Sequence, residues 1–378
     1  MKNISFFSGE ITRSGGTERV SSMIANGLSN IADFKICFLS LAEQERTPFF
    51  PLNASIAHTA LGKKWISPGP GYLGIIPKLH HFLKKEKIDI LIDIDIVLDV
   101  LSVPAAKGLP VKVISWEHFN YAYETSIFYR RLILKYFTRR TDFIVTLTNQ
   151  DALAFQKEFH RKKRIHAIYN PMEDIPVAEL SMDSEHTEPL PKKAESLPDS
   201  QKENALITVG RLIPMKGIDY LAHIAKNLLP AHPDWKWYVI GDGDGKIFLE
   251  KIIQKYHLEK QLILTGRIEN VAPYLEKSKI YVMTSRTEGL PMCLLEAKTY
   301  KLPIVSFDIL TGPNEIIEHK KNGYLISAFD YKEMTKKLHK LMVNPTLIEQ
   351  FSLHAQDNIE KFQMDKILCK WENLLRHL

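Results

Sequence analysis

The 378-residue sequence is longer than one ordinary core organises and fits two domains of comparable size. Its 45% hydrophobic and 25% charged content excludes a disordered or collagen-like chain, and three scattered cysteines, Cys37, Cys293 and Cys369, without C-x-x-C spacing exclude a disulfide framework and a zinc site and fit a reducing cytoplasm. The net charge of +6 lies mostly in residues 1–180, with 23 Lys and Arg against 18 Asp and Glu, an excess that suits nucleic acid, anionic lipid, a phosphorylated substrate or simply a basic surface.

The chain opens on "MKNISFFSGE", which reaches Gly9 and Glu10 before an apolar region of useful length, so no signal peptide is expected. "KNISFF" reads as a strand, and the "SGEITRSGGTERV" after it places Gly15 and Gly16 where a helix is about to start. Two adjacent glycines let backbone amides approach an anion, although a plain turn reads equally from them. "FKICFLS" is a second strand, and "KLHHFLKKEK" at 78–87 adds basic charge. "IDILIDI" is a third; Asp93, Asp95 and Asp99 interrupt the run that contains it, so no spanning helix is expected.

"VKVISW" is a fourth strand, followed by "EHFN" with His118, which alone reads as a structural histidine. Residues 127–140, "IFYRRLILKYFTRR", interleave Arg130, Arg131, Lys135, Arg139 and Arg140 with large apolar residues. At helical spacing they suit a helix lying on anionic lipid or holding a lipid diphosphate, and equally a sheet-packed helix with a basic outer face. After the strand "DFIVTLT" comes a segment rich in Pro, Ser and charge, read as a linker over 174–203.

The second half repeats the rhythm with "ALITVGR", "WKWYVIGD", "QLILTGR", "KIYVMTS" and "PIVSFD". β-Branched strands alternating with amphipathic stretches predict doubly wound parallel α/β sheets in both halves. In such sheets ligands gather at the carboxyl ends of strands. There "GRLIPMKG" offers Gly210, Arg211 and Lys216, a planar fork and a mobile point charge suited to diphosphate oxygens. "SRTEGLPMCLLEAKTY" then places Glu288 before Gly289, Leu290 and Pro291, and Glu296 inside the following helix, with Pro291 expected at its first position. A separation of roughly 7 Å along the axis from Pro291 to Glu296 suits two hydroxyl-bearing parts of one elongated ligand better than a glycosidase carboxylate pair. At the C-terminus Ile367, Leu368, Trp371, Leu374 and Leu375 form one apolar face, which can pack on either domain.

Taken together, "SGGTERV", "GRLIPMKG" and "EGLPMCLLEA", with its E-x7-E pair, resemble the family-4 retaining glycosyltransferases of GT-B fold, over nearly the whole chain. The resemblance implies two Rossmann-like domains facing a cleft: residues 1–173 as the acceptor side, completed by a C-terminal helix at about 355–378, and 204–354 as the nucleotide-sugar side. Arg211 and Lys216 would hold the donor diphosphate and stabilise the leaving group in place of a metal. Glu296 would bind the ribose, and Glu288, with the amides around Gly289 and Leu290, the donor sugar and its phosphate. His118 would touch the donor sugar, Gly16 would admit the diphosphate, and the loop of "TGRIEN" with Arg267 would meet the base. No protein nucleophile, essential metal or other cofactor is expected, and the two D-x-D triplets, Asp93-Ile94-Asp95 and Asp242-Gly243-Asp244, are read as chance patterns.

"GGTERV", "SWEHFN" and "GPNEIIEHKKNGYLI" look most like bacterial enzymes that extend O-antigen, capsule or other polyprenyl-diphosphate-linked glycans, usually from UDP-sugars. A cytoplasmic enzyme peripheral to the inner membrane face, with a glycan or lipid-linked acceptor and no nucleic-acid partner, is therefore expected. A nucleotide-sugar epimerase, a phosphorylase and an inactive membrane-associated scaffold are the competing readings; an epimerase lacks this motif set, a phosphorylase needs a pyridoxal phosphate lysine and a longer chain, and intact Arg211, Lys216, Glu288 and Glu296 argue against the scaffold.

Overall fold

The computed structural model describes residues 1–43, 47–63, 70–172 and 202–378. All of the linker expected at 174–203 except Lys202 and Glu203 therefore lies outside the described residues. The chain divides into two compact units, Met1–Pro171 with Glu360–Leu378, and Met172–Ile359.

The first unit is built on seven parallel strands, β1 (Lys2–Ser8), β2 (Phe34–Ser40), β3 (Ala57–Ala60), β4 (Ile90–Ile94), β5 (Lys112–Trp116), β6 (Phe143–Thr146) and β7 (Ile165–Ala167), in the order β3-β2-β1-β4-β5-β6-β7. The second has six, β8 (Ala205–Val209), β9 (Lys236–Ile240), β10 (Leu262–Gly266), β11 (Ile280–Met283), β12 (Ile304–Asp308) and β13 (Gly323–Ser327), in the order β10-β9-β8-β11-β12-β13, again all parallel. Both are doubly wound α/β sheets. Nine of the ten strands legible in the sequence lie inside the sheets and the tenth, β10, lies at an edge, and β4 is buried along its whole length. The other three, β3, β7 and β13, are edge strands; β3, "AHTA", has no apolar run to reveal it and is largely exposed.

The C-terminal helix spans Met364–His377, starting later than the expected 355 because the helix Pro345–Leu353 ends and Asn358 takes a positive φ of 59° between them. Ile367, Trp371 and Leu375 are buried against the first unit. Trp371 meets Trp116 edge to face at 4.9 Å, and Lys2 Nζ donates to the Leu375 carbonyl at 2.8 Å. A Cβ at Gly27 would lie 2.5 Å from Leu368, so the absence of a side chain there lets this helix close on the helix Gly16–Ser29.

Candidate functional site

In the second unit the winding reverses between β8 and its neighbour β11, which brings the loops after these two strands side by side at the carboxyl edge. Gly217, at φ 66°, fixes how closely they approach: a Cβ there would stand 2.0 Å from the Thr284 carbonyl oxygen. The Thr284 hydroxyl donates to the Lys216 carbonyl at 3.0 Å, and Arg286 N donates to the Met215 carbonyl at 2.8 Å. Arg286 also forks onto Asp219 at 2.7 and 2.6 Å. The glycine-rich first loop is thus laced to the second before any ligand arrives.

Lys216 Nζ donates to Glu288 Oε1 at 2.6 Å. Burial works against the ammonium charge, but the Glu288 carboxylate more than offsets it and holds the Lys216 pKa above its ordinary value; the Arg211 guanidinium is near enough to push in the opposite direction. Arg211 itself is exposed at the end of β8. The turn carrying Glu288 is clamped from the loop after β12. The Thr311 hydroxyl donates to the Glu288 carbonyl at 2.8 Å, and Gly312, at φ 101°, leaves no room for a Cβ beside the Gly289 carbonyl oxygen, 2.5 Å away.

Pro291 caps the helix Met292–Thr299 with extended backbone instead of forming its first residue, so the helix starts one position later than expected. The half-buried Cys293 feels Lys216, Glu288 and Glu296 together, and burial pushes its thiol up to about 11. It therefore lies amid the glutamates, the lysine and the buried Tyr281 hydroxyl, which bonds the backbone of Val209 at the end of β8.

The structure thus gathers Gly210, Arg211, Lys216, Glu288, Gly289, Leu290 and Glu296 on the loops of two adjacent strands and the helix after the second. Arg267 is not among them: it follows the edge strand β10, two strands from β8 and on the order of 10 Å away in strand spacing. Sequence reasoning missed Cys293, Tyr281 and Thr311. Cys293 lies between the two glutamates in sequence, but was read only for disulfides and metals.

In the first unit the winding reverses between β1 and β4. Gly15 caps the helix Gly16–Ser29 without a side-chain bond; a Cβ there would collide with the Glu18 carboxylate, whereas one at Gly16 would meet open space. After β5, His118 is buried, with its Nε2 lacking a partner among the described residues, and burial lowers its pKa to about 3, so the imidazole is neutral at physiological pH. Its ring lies 4.5 Å from that of Trp116 at a tilt of 47°, and Trp116 in turn meets Trp371 edge to face.

Arg130 organises this loop. The sequence reading placed it on the outer face with the membrane cations, but it is buried, 8% exposed, where its guanidinium meets Asp95 at 3.2 and 3.0 Å and Glu124 at 2.5 Å. It also lies over the Phe119 and Tyr123 rings. The helix expected over 127–140 ends at Tyr136, and Arg131, Lys135, Arg139 and Arg140 stay exposed. Among the described residues Asp95, Glu117 and Glu124 form an acidic trio with ligand atoms within 4.8 Å, but Arg130 already brings a positive charge to two of them. Of the D-x-D aspartates, Asp93 is buried and accepts from the Ser102 hydroxyl at 2.6 Å, and Asp242 accepts from Gly243 N at 2.9 Å.

Glu117 is fully buried, accepts from Phe119 N at 2.7 Å through Oε1 and among the described residues has no partner for Oε2. Burial, followed by the Glu124 and Asp95 charges, drives its pKa well above the usual carboxylate range. A raised carboxyl contributes stability that is complete below its unfolded value, near 4.5, and is lost as pH rises through the folded value. Glu117→Gln keeps the acceptor and removes the titration. The melting temperature of the variant should match wild type at pH 4.5 and exceed it increasingly toward pH 8; parallel curves across that range would refute the assignment.

Comparison with known proteins identifies the family. Residues 191–358 match the family model described as glycosyl transferases group 1, and residues 14–174 match glycosyltransferase family 4. An uncharacterized glycosyltransferase of Haemophilus influenzae is 32% identical over 375 residues, covering 99% of this chain and 100% of that one. A Campylobacter jejuni α-1,4-N-acetyl-D-galactosaminyltransferase, named for a diNAcBac-PP-undecaprenol-linked substrate, is 25% identical over 99% of this chain and 98% of its own. The crystal structure of Anabaena HepE in complex with UDP has the same fold, with a TM-score of 0.77 at 17% identity and full coverage of both chains.

Proposed function

This chain belongs to the group 1 and family 4 glycosyltransferases, and we propose that it is a retaining, metal-independent enzyme that moves a hexose or N-acetylhexosamine from a UDP-sugar to a lipid-linked or polysaccharide acceptor in bacterial surface-glycan synthesis. The observation that carries the donor half is the Lys216–Glu288 pair beside Arg211, with Cys293 and Glu296 on the adjoining helix. Arg211 and Lys216 bind the diphosphate and stabilise the negative charge that grows on it as the sugar departs; because they are already positioned, little reorganisation is needed at the moment of bond cleavage. Glu288 keeps the lysine charged and near the hexose, and Glu296 accepts hydrogen bonds from the ribose hydroxyls. Gly210, Gly289 and Leu290 line this site through their backbone, and at the helix start of the first unit Gly16 opens onto free space for the diphosphate while Gly15 stands beside the Glu18 carboxylate. Arg267 is assigned to the base end, consistent with its greater distance.

The neutral His118, with its orphaned Nε2, is the first unit's candidate for contact with the transferring sugar. The acceptor proton passes to a donor phosphate oxygen as the new bond forms on the face the leaving group vacates, so no protein nucleophile is invoked. UDP in the HepE complex and the undecaprenol diphosphate in the name of the Campylobacter relative support the choice of donor and acceptor class. Among the described residues no helix is long and apolar enough to cross a membrane. We assign the enzyme to the cytoplasmic side, peripheral on anionic lipid through Arg131, Lys135, Arg139 and Arg140.

A thermal-shift panel of UDP, GDP, ADP and their sugars, with and without EDTA, tests the reading. A selective rise with UDP and one UDP-sugar, unchanged by EDTA, is expected. Stabilisation only in the presence of a divalent cation would overturn metal independence, and preference for GDP or ADP would overturn the donor.

A further inference from the structure

On the first unit, between the helix Asp99–Ala105 and the segment Leu132–Arg140, lies an open groove of about 880 Å³. Val111 and Val113 form its buried floor; Val103 and Pro104 stand on one side and Leu132 and Tyr136 on the other. Its location is informative. Val111 and Val113 lie at the amino end of β5, and Asp142 immediately precedes β6, so the groove opens at the edge of the sheet opposite Glu117 and His118. It is therefore separate from the residues assigned to transfer.

Two cations, Lys107 and Arg140, stand at its mouth and are exposed. Asp142 is already bonded to Lys112 Nζ at 3.1 Å and to Val113 N at 3.0 Å, which leaves the rim predominantly positive. The helix Phe128–Tyr136 that forms one wall exposes Phe128, Tyr129, Leu132 and Tyr136 to between 38 and 68%. Arg131 and Lys135 are exposed between them, and Arg139 follows. Arg131 lies over the Phe128 ring and Lys135 over the Tyr136 ring, so cations and exposed rings share one surface, and an anionic bilayer suits both, taking the aromatic rings at headgroup level and the cations at the phosphates.

We propose that this groove receives one acyl chain of an anionic phospholipid, with Lys107 and Arg140 at the headgroup phosphate. The assignment rests on the reading of the enzyme as peripheral to an anionic membrane and adds to it a discrete lipid site. Aliphatic walls and floor fit a hydrocarbon chain, the volume falls in the range of small-molecule sites, and the positive rim favours an anionic headgroup and disfavours a cationic one. The bound lipid anchors the enzyme and is not its acceptor, because the groove lies at the opposite edge of the sheet from the loops assigned to transfer.

The experiment uses the full chain in two measurements. Sedimentation with phosphatidylglycerol–phosphatidylcholine vesicles reads the membrane surface: Arg131→Gln/Lys135→Gln/Arg139→Gln should bind about 100-fold more weakly than wild type at low salt. Calorimetry with monomeric dihexanoyl-phosphatidylglycerol reads the groove. Wild type should bind it, glycerol phosphate should not compete, and Val103→Phe, which fills the groove, should weaken binding about tenfold. Leu132→Glu at the exposed wall should do the same should Val103→Phe fail to fold. Vesicle binding with no binding of the monomeric lipid, or with equal monomer affinity in both groove variants, overturns the groove and leaves the membrane reading standing. Absence of vesicle binding overturns both. Self-association of the wild type that either groove variant abolishes would assign the groove to a second copy of the chain and overturn the lipid.

Discussion

Lys216→Ala should lower the turnover of sugar transfer by about 10²–10³-fold, the cost typical of deleting one preorganised donor to a developing anion. Lys216 is the part-buried member of the cation pair and the one tied by a 2.6 Å bond to Glu288, so it is held in place for the diphosphate role we propose for it. Arg211 is exposed and approaches from the strand end; its loss should cost less in turnover and more in donor affinity. Lys216→Arg should restore only part of the rate, because a planar guanidinium fork does not reproduce the compact point charge that Lys216 places 2.6 Å from Glu288 Oε1. Circular dichroism and a thermal melt separate this effect from misfolding. Wild-type turnover in a folded Lys216→Ala protein would remove the lysine from the mechanism.

Arg130→Met should destabilise the protein by about 3–5 kcal/mol at pH 8, the cost of removing one partner from a buried ion pair and leaving the other uncompensated. The guanidinium balances Asp95 and Glu124 and covers the Phe119 ring, so its loss strands two carboxylates near the fully buried Glu117. The deficit has a definite pH dependence. Burial first, then the Asp95 charge, holds Glu124 at about 8 even with Arg130 present, and without the arginine Glu124 binds its proton more readily still. The gap between variant and wild type should therefore narrow from pH 8 to pH 5, measured as urea midpoints. A deficit below about 1 kcal/mol at pH 8, the level of an exposed pair, would mean that Arg130 is not the hub of the loop.

Much of this architecture is written locally. Strands such as "IDILIDI" and "KIYVMTS" are buried on both faces, and their β-branched runs have no alternative environment in a parallel sheet. The edges are different. β3 and β7 have four and three residues and are held by pairing to β2 and β6, a tertiary reason that no local pattern contains. The donor-side residues were legible because they follow strand ends with glycine and proline around them, features that announce loops and helix starts. Arg130 was misread for a related reason. Helical spacing reports that a residue faces one side, but only the fold shows that Asp95 and Glu124 lie on that side to receive it. Cys293 stayed invisible because its neighbour Lys216 comes from another loop, after β8, and its chemistry here is proximity, which a lone cysteine does not signal.

The central claim is that Arg211, Lys216, Glu288 and Glu296 form a metal-free site for a nucleoside diphosphate. A calorimetric titration of UDP in EDTA, comparing wild type with Arg211→Ala/Lys216→Ala, tests it most directly. The account predicts one UDP bound per wild-type chain without added metal, and binding at least about 100-fold weaker in the folded double variant, since each lost charge-assisted bond is worth about 1.5–3 kcal/mol. Equal affinity in the two proteins, or UDP binding that appears only when a divalent cation is restored, would contradict it.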